Sequence, residues 1–160
     1  MNNIFTDNKD FYPTPTEVIE TMMMDEDIAG KTVLEPSAGK GNIVDWLQEN
    51  GASHVIACEK DPNIRKLLNG KCEILAEDFL TVTSEHVSHV DYIVMNPPFS
   101  EGAKHILHAF DIAPAGCTIV ALCNSSSLTR SWHYEKNREM IETVENYGQE
   151  EYLGNVFDNA

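Results

Sequence analysis

The chain has 160 residues, a size for one domain with its own core. Hydrophobic residues make up 42% and charged residues 23%, a balance that excludes wholesale disorder. Acids outnumber bases 26 to 11 for a formal charge of −15, and a surface of that sign repels phosphate backbones. Ten acids fall in residues 1–50, seven in 51–100 and nine in 101–160, so the excess is neither a tail nor a patch. No apolar run approaches the ~20 residues of a membrane span, and no signal-peptide pattern opens the chain. The four cysteines lack C-x-x-C spacing and read as buried, reduced thiols of a soluble cytoplasmic protein, with no metal site.

The predicted elements alternate. After a Pro-containing opening, Thr16 is expected to cap a helix with Val18, Ile19, Met22 and Met23 on its apolar face. A strand follows at 32–35, then a glycine-containing turn from Pro36 to Gly41 and a helix carrying Ile43, Val44, Trp46 and Leu47. The second strand is 54–58, and Pro62 starts the next helix with Ile64, Leu67 and Leu68 on its face. Strands three and four are read at 72–76 and 90–95, with a helix over 102–113 from the spacing of Ile106, Leu107 and Phe110. A continuous apolar run at 118–123 predicts a strand buried on both faces. A last amphipathic helix carries Met140, Ile141, Val144 and Tyr147. This order implies right-handed crossovers and a mainly parallel sheet between two helical layers, an α/β Rossmann-like fold. Residues 1–160 read as one domain without repeats or a separate target-recognition domain.

Ligands of such sheets bind beyond the carboxyl ends of the strands, and four suggestive loops lie there. The first is Glu35-Pro36-Ser37-Ala38-Gly39-Lys40-Gly41. It is neither a phosphate-cradling P-loop nor G-x-G-x-x-G. Its acid at the strand end suits a cationic ligand, such as an amine or sulfonium, better than a pyrophosphate; the bland alternative is a tight strand-to-helix turn. Glu59, followed by Lys60, closes the second strand and can accept from ribose hydroxyls, or be a solvated glutamate. After the third strand, Asp78 can accept from an adenine amino group while Phe79 packs on the ring, or Phe79 belongs to the core. After the fourth comes Asn96-Pro97-Pro98-Phe99. Its two prolines hold their neighbours extended and remove two N–H donors. The Asn96 side-chain oxygen and the Pro97 carbonyl can grip the two hydrogens of an exocyclic amine, and Phe99 offers a face for stacking. A stiff turn is the alternative.

Together these segments resemble a class I S-adenosylmethionine-dependent methyltransferase, and within it the amino-directed N6-adenine DNA methyltransferases. Phe11-Tyr12-Pro13-Thr14-Pro15 resembles that group's N-terminal aromatic-x-Thr-Pro segment, with Pro13 as a departure in spacing. The resemblance implies that Tyr12, Thr14, Pro15, Glu35, Pro36, Ser37, Ala38, Gly39, Gly41, Glu59, Lys60, Asp78, Phe79 and Asn96 bind the cofactor, S-adenosyl-L-methionine. It implies that Asn96, Pro97, Pro98 and Phe99 carry catalysis, by direct methyl transfer to an amine of a flipped-out adenine. Protein-glutamine and RNA amine methyltransferases share the tetrapeptide, so these substrates stand as alternatives. A third reading is an acidic binding module or DNA mimic.

Two departures from the family stand out. One or two C-terminal edge strands are missing from the pattern, because 151–157 resembles only the beginning of that region; an open edge invites a second copy or a basic partner subunit. Bases near the target side are few: Lys104, Arg130, Lys136 and Arg138. Arg130 reads as a solvated loop side chain, with a phosphate contact as the alternative. His105 and His108, on the helix after the tetrapeptide, are given no chemical role.

Overall fold

The computed structural model describes residues 13–128, 135–151 and 153. Five strands form one sheet: β1 (Thr32–Glu35), β2 (His54–Cys58), β3 (Glu73–Ala76), β4 (Tyr92–Met95) and β5 (Thr118–Ala121). Their order is β3-β2-β1-β4-β5, and every pairing is parallel. The helices are α1 (Thr16–Met22), α2 (Asn42–Glu49), α3 (Pro62–Arg65), α4 (Gly102–Ile112) and α5 (Glu135–Tyr147). The expected α/β architecture is therefore present.

The period-2 alternation of each strand divides the core in two. Val33, Val55, Ala57 and Val94 face one layer, where Ile19 and Met23 from the first helical region meet Ile43, Val44 and Leu47 of α2. Leu34, Ile56, Cys58, Ile93 and Met95 face the other, against Phe79, Val82, Val87, Ala109 and Ile112. Leu34 and Ile93 are completely buried neighbours in the β1–β4 register, so truncation there removes packing from the middle of the sheet.

Several expectations are corrected. Thr16 is the first helical residue, not the cap; Pro15 holds that position, and its carbonyl accepts from Val18 and Ile19 N–H. β3 starts at Glu73 rather than Cys72. β4 starts at Tyr92 because the Val90 N–H is already bonded to the Val87 carbonyl in the preceding turn. β5 ends at Ala121 and is half-buried throughout, having β4 on one side and no second neighbour among the described strands. The thiol expectation holds in part: all four cysteines are free, but only Cys58 is fully buried. No helix among the described residues is long and apolar enough to cross a membrane, and no group of described residues could hold a metal ion. Arg130 and residues 154–157 lie outside the described residues.

Candidate functional site

Strand order reverses between β1 and β4, because the chain builds outward from β1 to β2 and β3 and then crosses back to lay β4 on the other side. Carboxyl ends of strands diverge at such a switch point and leave a crevice. A cleft of about 810 Å³, mouth included, opens there. Most of the predicted site meets in its wall: Thr14, Glu35 to Gly39, Glu59, Lys60, Asp78, Phe79, Asn96 and Pro98.

The β1 loop is held from below by carboxylates. Glu35 is only 1% exposed, and its Oε1 accepts from the Ser37 N–H at 2.8 Å. Glu59 binds backbone with both oxygens: Oε2 accepts from Gly39 N–H at 2.7 Å and Oε1 from Asp61 N–H at 3.0 Å. One side chain at the end of β2 thus fixes the loop after β1 as well as its own. Burial pushes the Glu35 carboxyl up to about 8, opposed by the Ser37 N–H and reinforced by the charge of Glu59. Glu59 is also raised, again chiefly by burial and against its backbone hydrogen bonds. Two acids whose charged forms are both disfavoured make a site that a cation would relieve.

Gly39 and Gly41 have positive φ, +54° and +97°. Gly41 is absent from the cleft wall; it starts α2 in the left-handed conformation, and a Cβ there would stand 3.0 Å from Leu68 Cδ2. Its glycine is required by backbone shape and core contact. The Ser37 hydroxyl oxygen is buried without a hydrogen-bond partner among the described residues, an orphan that a ligand in the cleft could satisfy.

Thr14, 5% exposed, ties the N-terminal segment to both halves of the site. Its carbonyl accepts from Asn42 Nδ2 at 3.0 Å, and its hydroxyl accepts from Asn96 Nδ2 at 3.1 Å. The second bond turns the Asn96 amide so that its NH2 group faces Thr14 and its carbonyl oxygen faces away. Pro97 is buried, and neither Pro97 nor Phe99 lines the cleft; Phe99 is half-buried and opens a 3-10 turn, Phe99–Glu101, that leads into α4. Pro15 is not in the wall either, and Tyr12 falls outside the described residues.

The β3 loop contributes both to the core and to the cleft. Phe79 is 1% exposed, packs in the core, meets the His108 ring edge-on at 4.9 Å and also borders the cleft, so it serves the interior and the cleft wall at once. Asp78 caps the turn that Phe79 begins, accepting from the Leu80 N–H at 2.9 Å.

Contributors missed in the sequence include Asn42, which holds the Thr14 carbonyl, and four more. Arg65 donates to the Glu59 carbonyl at 3.0 Å and pairs with Glu77 at 3.2 Å, joining the ends of β2 and β3. Glu77 lines the cleft, as do Glu101 and His105, which contact each other at 3.4 Å. The i, i+4 spacing of Glu101 and His105, one turn beyond the tetrapeptide, was the signal available for the last two.

No family model matches the chain, and no curated protein matches it in sequence. Solved structures do match it in shape. A Pyrococcus horikoshii protein proposed to be an RNA methyltransferase superposes with a TM-score of 0.64 at 24% identity, over 88% of this chain and 73% of that one. An RNA methyltransferase from Salinibacter ruber, in complex with S-adenosyl-L-homocysteine, gives 0.60 at 18% identity over 71% and 79%. A TehB-like S-adenosylmethionine-dependent methyltransferase from Corynebacterium glutamicum gives 0.57 at 17% identity over 79% and 71%. At these identities the likeness concerns the fold: the chain has the Rossmann-like α/β fold also seen in S-adenosylmethionine-dependent methyltransferases.

Proposed function

We propose that the chain is an S-adenosylmethionine-dependent methyltransferase acting on an exocyclic amine, with adenine N6 in DNA as the leading substrate. The observation that carries this reading is the convergence at one switch point of Glu35, Glu59, Asp78 and Asn96, with Asn96 oriented by Thr14. The fold neighbours support the cofactor class, since one of them binds S-adenosyl-L-homocysteine.

The residues fit such a cofactor. Glu35, held protonated up to about pH 8 by burial, would be drawn to ionise by a bound sulfonium or ammonium; Glu59 would serve the ribose, and Ser37 has a buried hydroxyl in need of a partner. When bound, the cofactor supplies an electrophilic methyl group. The protein's own work is orientation. Asn96 Oδ1 would accept a hydrogen bond from the target amine and draw its lone pair out of conjugation, Pro97 and Pro98 would hold that segment rigid, and Phe99, outside the cleft wall, is left without a stacking role in this geometry. Positioning of this kind accounts for much of the rate in direct transfers between two bound groups.

A second reading, an RNA amine as substrate, is compatible with the RNA methyltransferases among the fold neighbours. Under either reading the charge of −15 assigns phosphate binding to something else, a basic partner subunit; a second copy of this chain would bring the same acidic surface. Transfer of a tritiated methyl group from S-adenosylmethionine into pools of DNA, RNA and protein tests the proposal. Label recovered as N6-methyladenine in DNA supports it, and label confined to RNA or protein replaces the substrate. No transfer to any pool, together with no S-adenosylhomocysteine binding at millimolar concentration, overturns it.

A further inference from the structure

His105 lines the cleft from α4, and its side chain is shielded, the residue being 7% exposed. One ring nitrogen is engaged: Nε2 lies 3.4 Å from Glu101 Oε2. The other, Nδ1, is buried and has no hydrogen-bond partner among the described residues. Phe79 supports the imidazole from the core, with ring centroids 5.9 Å apart. Next to Phe79 in the chain, Asp78 stands in the same cleft wall.

These contacts decide which chemistry Nδ1 offers. The Glu101 carboxylate is an acceptor, so the proton of a neutral imidazole resides on Nε2 and Nδ1 carries a lone pair. Burial holds His105 below the ordinary histidine range, while Glu101 and Asp78 pull in the opposite direction and His108 adds to the lowering. The neutral form therefore prevails near pH 7. An orphaned, buried acceptor is a cost to the folded protein. A ligand offering an N–H donor would recover that cost. A carbonyl oxygen in the same place would not, because two acceptors would then face each other.

We propose that His105 is a specificity-determining residue that accepts a hydrogen bond from the amino group of a bound aminopurine, selecting adenine over a 6-oxopurine. The proposal rests on the methyltransferase reading above. Proximity to Asp78 and Phe79 assigns the amine to the cofactor's adenine; the target adenine is the other source of the same chemistry.

Calorimetric titration with S-adenosylhomocysteine and S-inosylhomocysteine tests it, on the wild-type chain and on His105→Phe and His105→Asn. The wild type is expected to bind the adenosyl compound at least about tenfold more tightly than the inosyl one. His105→Phe, similar in size but unable to accept, loses most of that preference, and His105→Asn, whose amide oxygen can accept, regains it. Equal binding of both compounds by the wild type overturns the proposal, even should His105→Phe fail to fold. A preference undiminished in a folded His105→Phe overturns it as well, provided transfer activity with an adenine-containing oligonucleotide is also unchanged. If cofactor binding is unaffected but KM for that oligonucleotide rises about tenfold, His105 reads the target adenine instead. Absence of any S-adenosylhomocysteine binding by the wild type is a separate failure, that of the methyltransferase reading itself.

Discussion

The two halves of the cleft are built by different means. On the β1–β2 side, carboxylates bind backbone: Glu35 holds Ser37, and Glu59 holds both Gly39 and Asp61. On the β4–α4 side, two consecutive prolines stiffen the chain, and the hydrogen bond from Asn96 to Thr14 crosses 82 residues of sequence. The first half is wired from within and shaped for a bound group of positive charge. The second is anchored by a segment distant in sequence, so the orientation of Asn96 depends on whether residues 13–15 are docked. A site that binds one reactant tightly and admits another transiently is served by this division.

Substitutions separate the halves. The largest effect is expected for Asn96→Ala, which should lower methyl transfer by 10²-fold or more, by analogy with removal of a transition-state hydrogen-bond partner, and leave S-adenosylhomocysteine affinity within a few-fold. Rates of tritium transfer beside calorimetric titration check both parts. Next comes Glu59→Ala, which strands two backbone N–H groups and unties the loops after β1 and β2. We expect cofactor affinity to fall at least tenfold and thermal stability to drop by several degrees, measurable by calorimetry and by thermal unfolding.

Glu35→Gln gives a subtler signature. The folded state holds Glu35 protonated up to about pH 8, whereas the unfolded chain ionises it near its ordinary value of 4.5. Between those values the folded state binds more protons, so stability falls as pH rises, by up to about 1.4 kcal/mol per unit. Below 4.5 and above 8 this contribution is flat. Melting curves from pH 5 to 8 should therefore decline less steeply for Glu35→Gln than for the wild type, and parallel curves would contradict the burial of a titrating carboxyl. The smallest effect is expected for Thr14→Val. It keeps the backbone bond to Asn42 and removes only the hydroxyl that orients Asn96, at a cost of about 1 kcal/mol. Transfer should slow several-fold with cofactor affinity unchanged, and Thr14→Ser should restore it; an equal loss of cofactor affinity would mean that the two halves are not separable.

The local sequence determined much of this molecule. Short apolar runs, Val33-Leu34 and Val55 to Cys58, placed β1 and β2 to the residue, as fits strands covered on both faces. Acidic or proline-flanked loops marked Glu35, Glu59, Asp78 and Asn96 because they stand at the carboxyl ends of strands, where such sheets bind ligands. Tertiary structure decided the rest. Phe79 satisfied the patterns of a core residue and of a base-stacking one alike, and the fold put it in the core against His108 and in the cleft wall together. The Thr14–Asn96 bond, the Arg65 link between β2 and β3, and the orphaned Nδ1 of His105 were invisible in the chain. Each depends on distance between residues far apart in sequence or on the absence of a neighbour, and a linear pattern encodes neither.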